Sequence, residues 1–185
     1  MRVEIVQEAD GSALVPVFPP GENYVDLREN PQAIQRIAAA RRHLPLRNFL
    51  AAVNGAESMF ATASSAARLD LPSAASAEQI YEFASQAKIV FAEPSLNFVS
   101  KHYVDLSSGL KELLERDAAD TVRVLLRISP CDFKVENRRG FCLSIHVTAE
   151  GGSPQQAELR WGLGLARVQQ ALLFRSRALK QQIAD

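Results

Sequence analysis

Apolar residues recur along this chain at two intervals, and the interval assigns the element. Val122, Val124, Leu126 and Ile128 alternate with Arg123 and Arg127, the two-residue period of a strand with one face buried. Ile80, Phe83, Ala84, Ala87, Val90 and Phe91 instead return every three or four positions, between Ser76-Ala-Glu-Gln79 and Pro94. Capping-box spacing ahead of such a stripe predicts an amphipathic helix. A longer helix is expected from Ser153-Pro154 to about Ile183. Trp161, Leu165, Val168, Leu172, Leu179 and Ile183 form one stripe on it, interrupted around Arg175-Ser176. Leu159, Leu163, Ala166 and Leu173 form a second, so the first part should be buried on two sides and the tail on one at most. At 1.5 Å per residue this helix is roughly 45 Å long. Its tail either continues over its own sheet or projects to join a partner helix in a homodimer.

Shorter signals fill in the rest. Arg2–Gln7 and Ala13–Phe18 flank a turn cluster at Glu8–Ser12 and read as an N-terminal hairpin. Asn30-Pro31 starts a helix that should run to about His43 and stop before Pro45. Leu46–Val53 and Ala56–Ser65 flank Asn54-Gly55, a strong hairpin signal, so two strands are expected. A helix there would carry Asn-Gly in its middle, at a cost of about 1 kcal/mol. Tyr103-Val-Asp-Leu106 repeats the letters of residues 24–27, and a helix at about Ser108–Asp117 follows it.

Laid side by side, residues 1–94 and 95–185 share the order strand, helix, strand, strand, helix, with Phe60 and Phe91 matching Phe141 and Phe174. Four matching letters also arise by chance, and the second half has an extra strand near residues 131–136. The expected fold is α+β: an antiparallel sheet with helices packed on one face and a long C-terminal helix. It is built either as an internal two-fold repeat of these halves or as one fused domain.

Composition narrows the partners. Of 185 residues, 47% are apolar, and 21 basic residues balance 21 acidic ones. The chain can bury a core, and its balanced charge argues against nucleic acid. No apolar run is long enough to span a bilayer, and Met-Arg-Val-Glu-Ile-Val lacks the apolar segment of a signal peptide. Two cysteines make no disulfide framework. A cytoplasmic protein with no membrane partner is expected.

Chemistry concentrates in residues 128–147, which hold both cysteines, one of the three histidines and an arginine pair. Asn137-Arg138-Arg139-Gly140 suits a type I turn with glycine in the left-handed conformation. That loop places Phe133 opposite Ile145 and Val135 opposite Leu143 on an apolar face. Asp132 then falls opposite His146, Lys134 opposite Ser144 and Glu136 opposite Cys142 on the other. Cys131 and Cys142 would point to opposite faces and not bond. Neither cysteine nor histidine spacing offers a metal-ligand pair, so no metal and no cofactor is expected. An aspartate orienting a histidine is half of a nucleophilic triad, but a solvated sheet face carries the same pairs and is the preferred reading.

Other signals are read plainly. Gly151-Gly152-Ser153-Pro154 is a turn with a serine cap, since no phosphate-loop lysine follows. Gly162 and Gly164 lie inside the helical pattern and permit close backbone packing. Arg41-Arg42-His43 ends a helix, where basic residues suit its dipole. The leading expectation is a non-catalytic binding or interaction module that presents a sheet face or groove. The enzyme alternative takes His146 as base, Asp132 as its orienter and Arg123 or Arg127 as anion clamp. A nucleic-acid alternative would gather Arg41, Arg42, Arg138 and Arg139 on one surface.

Overall fold

A computed structural model describes residues 1–9, 15–17, 26–70, 80–116 and 121–184. Strands β1 (Arg2–Gln7), β2 (Val15–Val17), β3 (Phe60–Asp70), β4 (Tyr81–Phe91), β5 (Val122–Phe133) and β6 (Arg138–Gly151) form one sheet. Its order is β1-β5-β6-β4-β3, with β2 also alongside β5. Helices α1 (Ala38–Arg42), α2 (Leu44–Val53), α3 (Ser100–Glu115) and α4 (Pro154–Ala184) complete it, with short 3₁₀ segments at Pro31–Arg36 and Pro94–Phe98. The α+β class and the long C-terminal helix are as expected.

The sheet is mixed, however. β1 and β2 both run parallel to β5, end to end along it, so the expected N-terminal hairpin does not form. The internal repeat finds no support either. Tyr103-Val-Asp-Leu106 lies within α3, and the helix expected at 80–91 is β4. Tyr24, Val25 and the Ser76–Gln79 capping box lie outside the described residues.

Two positions hide the strand period of β4. Its buried face carries Phe83, Ser85, Ala87, Ile89 and Phe91, at alternate positions. Ser85 breaks that apolar series because its hydroxyl accepts the Trp161 indole N–H at 2.8 Å, the partner a buried indole requires. Val90 makes the opposite face look apolar because a second, smaller core sits there with Ala61, Cys131, Phe133 and Cys142.

Leu46–Val53 is the converse case, a helix read as a strand. Leu46, Phe49, Leu50 and Val53 are all buried at helical spacing. Asn54-Gly55 follows the last turn of α2 instead of joining two strands. Asn54 donates to the Leu50 carbonyl at 2.7 Å and to Thr62 Oγ1 at 2.8 Å, and accepts the Thr62 N–H at 2.9 Å. It therefore ties the helix end to β3. The expected helix from Pro31 to His43 is broken at Ile37, whose backbone is extended.

Helices cover one face of the sheet, with α4 between α2 and α3. Trp161, Leu165, Val168 and Leu172 face β4 and β6 and are buried. The serine cap of α4 is as expected: Ser153 Oγ accepts the Gln156 N–H at 3.2 Å, and Gln156 Oε1 accepts the Gly152 N–H at 2.7 Å. The glycines pack as expected too. A Cβ on Gly164 would lie 2.6 Å from Val122 Cγ1, and one on Gly162 2.9 Å from Pro45 Cγ. The break in the stripe at Ser176 is also a packing feature, since its hydroxyl accepts the Met59 N–H at 2.7 Å. With Lys180 reaching the Ala56 carbonyl at 3.5 Å and Leu179 packed on the core, the tail lies over its own chain and does not project.

Candidate functional site

The hairpin holding the candidate chemistry has a register that moves every side chain. Phe133 pairs with Arg138, Asp132 with Arg139 and Cys131 with Gly140. Asp132 was expected opposite His146, so the shift is 146 − 139 = 7 residues, an odd number, and an odd shift exchanges the faces. The left-handed turn residue is Asn137, at φ 48°, a conformation asparagine tolerates. Gly140 is instead a strand residue over which the Phe133 ring and the Asn97 carbonyl crowd, 2.6 and 2.7 Å from where a Cβ would stand.

Two expectations change with the register. Asp132 and His146 do not meet: His146 lies opposite Leu125, seven positions along β5 from Asp132, about 23 Å at strand rise. Asp132 pairs with Lys134 at 2.5 Å instead. Cys131 and Cys142 share a face and are both buried, not divided between faces. Their mutual hydrogen bond, then burial, pushes the Cys131 thiol up, which makes it a poor nucleophile. Among the described residues no nucleophile, base and orienting acid come together around this hairpin.

His146, Arg123 and Arg127 do share the face that the helices leave uncovered. Rows across the strands can be read from the register: Arg123, Thr148 and Ala84, then Leu125, His146 and Gln86, then Arg127, Ser144 and Lys88. Arg123 is committed to Glu150 at 2.5 Å and Glu82 at 3.0 Å. Among the described residues Arg127 has only Glu8, at 3.5 Å, and its Nε is buried without a hydrogen-bond partner. His146 Nε2 is likewise buried and unpartnered. Arg138 lies at the hairpin tip with its guanidinium 4.1 Å above the Phe98 ring, and exposed Arg139 lies opposite Asp132.

Beside His146 the sheet surface sinks into a groove of about 350 Å³, lined by Ala66, Arg68, Ala84, Gln86, His146 and Thr148 among others. Alanines on adjacent strands make the hollow, since their neighbours stand taller. Burial, then the Arg127 guanidinium and the Lys88 ammonium, holds the His146 imidazole below its ordinary value. Lys88 was missed from sequence, because a helical reading of 80–91 placed it on no shared face with His146. One end of this face is closed by the second core, where Phe98 meets Phe133 edge to face at 5.4 Å.

A second surface departs from expectation on the helix layer. Leu159 and Leu163, expected to be buried, are 65% and 60% exposed, and Leu44 of α2 is 55% exposed beside them. They border an apolar groove of about 570 Å³ with Pro45, Gly162 and Ala166. No helix among the described residues is long and apolar enough to cross a membrane. A scan of protein-family models finds no match to this chain, and no curated protein or solved structure matches it.

Proposed function

We propose that the protein is a non-catalytic binding module whose ligand face is the uncovered side of the sheet. One observation carries this reading: the buried, unpartnered His146 Nε2 at the edge of a groove of about 350 Å³. A buried polar atom without a partner costs roughly 1–3 kcal/mol, a cost that a bound ligand would offset. The groove falls in the size range of small-molecule sites. Backbone amide spectra recorded with a set of small polar molecules test it. Shifts clustered at Ala66, Ala84, Gln86, His146 and Thr148 are expected; shifts confined to other surfaces would overturn the reading.

The apolar face of α4 favours a second, compatible role, self-association. Leu159 and Leu163 are knobs, and the groove beside them is lined by Pro45, packed on Gly162, and by Ala166. A two-fold axis across such a surface lets each copy fill the other's gaps. The groove's one charged lining residue, Glu158, is already held by His43 at 2.7 Å.

A further inference from the structure

Resting on the ligand-face reading, we infer that this face takes a small organic oxyanion, a carboxylate or phosphate ester. Its charged head lies over Ser144 and His146 between Arg127 and Lys88, and its body lies in the alanine-floored groove. Arg127 and Lys88 flank Ser144 on the strands either side of β6, about 10 Å apart at sheet spacing, so an anion over Ser144 is within reach of both. Neither cation is satisfied. Lys88 forms no ion pair or hydrogen bond among the described residues, and Arg127 has one loose contact to Glu8 at 3.5 Å with a buried free Nε.

Two cations beside a desolvated imidazole repel one another, and an anion reverses the sign of that interaction. Glu4, on β1 opposite Leu125, is the other acid that the register places beside this row. Glu82, which lines the groove, and Glu150 opposite it are both taken by Arg123. The charges that act on His146 are those of Arg127 and Lys88, and it stands next to a hollow. Charge-assisted hydrogen bonds from arginine, lysine and imidazole suit carboxylate and phosphate oxygens equally.

Isothermal titration of the full chain with butyrate, inorganic phosphate and butyramide tests the inference, using wild type, Lys88→Gln and Arg127→Gln. Folding of each variant is checked by circular dichroism. The expected result is anion binding that weakens about tenfold or more in both variants, with butyramide bound far more weakly than butyrate. Preference for butyrate assigns the carboxylate, and preference for phosphate assigns the phosphate ester. If butyramide binds as well as butyrate and the variants change nothing, the oxyanion assignment is overturned while the ligand face stands. If none of the three binds, the oxyanion assignment is overturned, and the amide spectra above decide separately whether the face binds anything.

Discussion

His146 joins burial to charge at a single side chain, and its stability effect has a definite sign. Its imidazole titrates below the ordinary value in the folded protein because it is buried near Arg127 and Lys88. The unfolded chain therefore binds the proton more readily as pH falls through about 6.5, the value of an unperturbed histidine. The stability is present in full above that pH and is lost as pH falls towards the folded value. Urea denaturation between pH 8 and pH 5 should show this decline in wild type, and His146→Gln should reduce it. An unchanged pH slope in the variant would assign the decline to other groups. Asn97 has a purely structural role. It accepts the Phe91 N–H at 2.8 Å and the Tyr103 hydroxyl at 2.6 Å, and donates to the Phe91 carbonyl at 2.9 Å. Asn97→Ala leaves these buried groups unpaired and should cost about 3 kcal/mol, read as a lower urea midpoint with the same slope. The roles of Asn97 and Lys88 were not legible in sequence, because both act through neighbours that only the fold supplies.

Among the elements, those defined by one uninterrupted pattern were legible and those with a polar exception were not. β5 alternates from Val122 to Ile128 with Leu125 as its outward apolar residue, and α4 keeps its serine cap and its main stripe on either side of the break at Arg175-Ser176. β4 failed because Ser85 serves Trp161 and Val90 serves a second core, which together imitate a helical period. α2 failed because Asn54-Gly55 was read as a turn between strands when it is a helix end that grips Thr62. The close approach of α4 to the sheet gives a direct test. Gly164→Ala places a methyl 2.6 Å from Val122 Cγ1 and should destabilise by about 1–3 kcal/mol. Adding Val122→Ala should then cost less than it does alone, since the two side chains share one space. The outward face of α4 has its own test, in the mass measured by light scattering after gel filtration. Wild type is expected at twice the chain mass and Leu163→Glu at once, with the same circular dichroism. Identical masses for the two would remove the self-association reading.

At the scale of the whole molecule, the patterning predicts a sheet with helices on one face, and that arrangement leaves the other face uncovered. The parallel edge was not legible, because β1 and β2 reach β5 across more than a hundred residues and no local pattern marks that pairing. The candidate site was legible in part. His146, Arg123 and Arg127 do share one outward face, but the register read from the hairpin's turn and its apolar alternation is not the one that forms. The register that forms, seven residues away, buries Cys131 and Cys142 together and parts His146 from Asp132, while the β4–β6 pairing sets it near Lys88. The most direct test of an anion-binding face centred on His146 is the titration of its ring nitrogens by NMR, without ligand and with butyrate. The account predicts a pKa below the ordinary histidine value in the free protein and a clear rise when butyrate is present. An ordinary value in the free protein that butyrate leaves unmoved would contradict it.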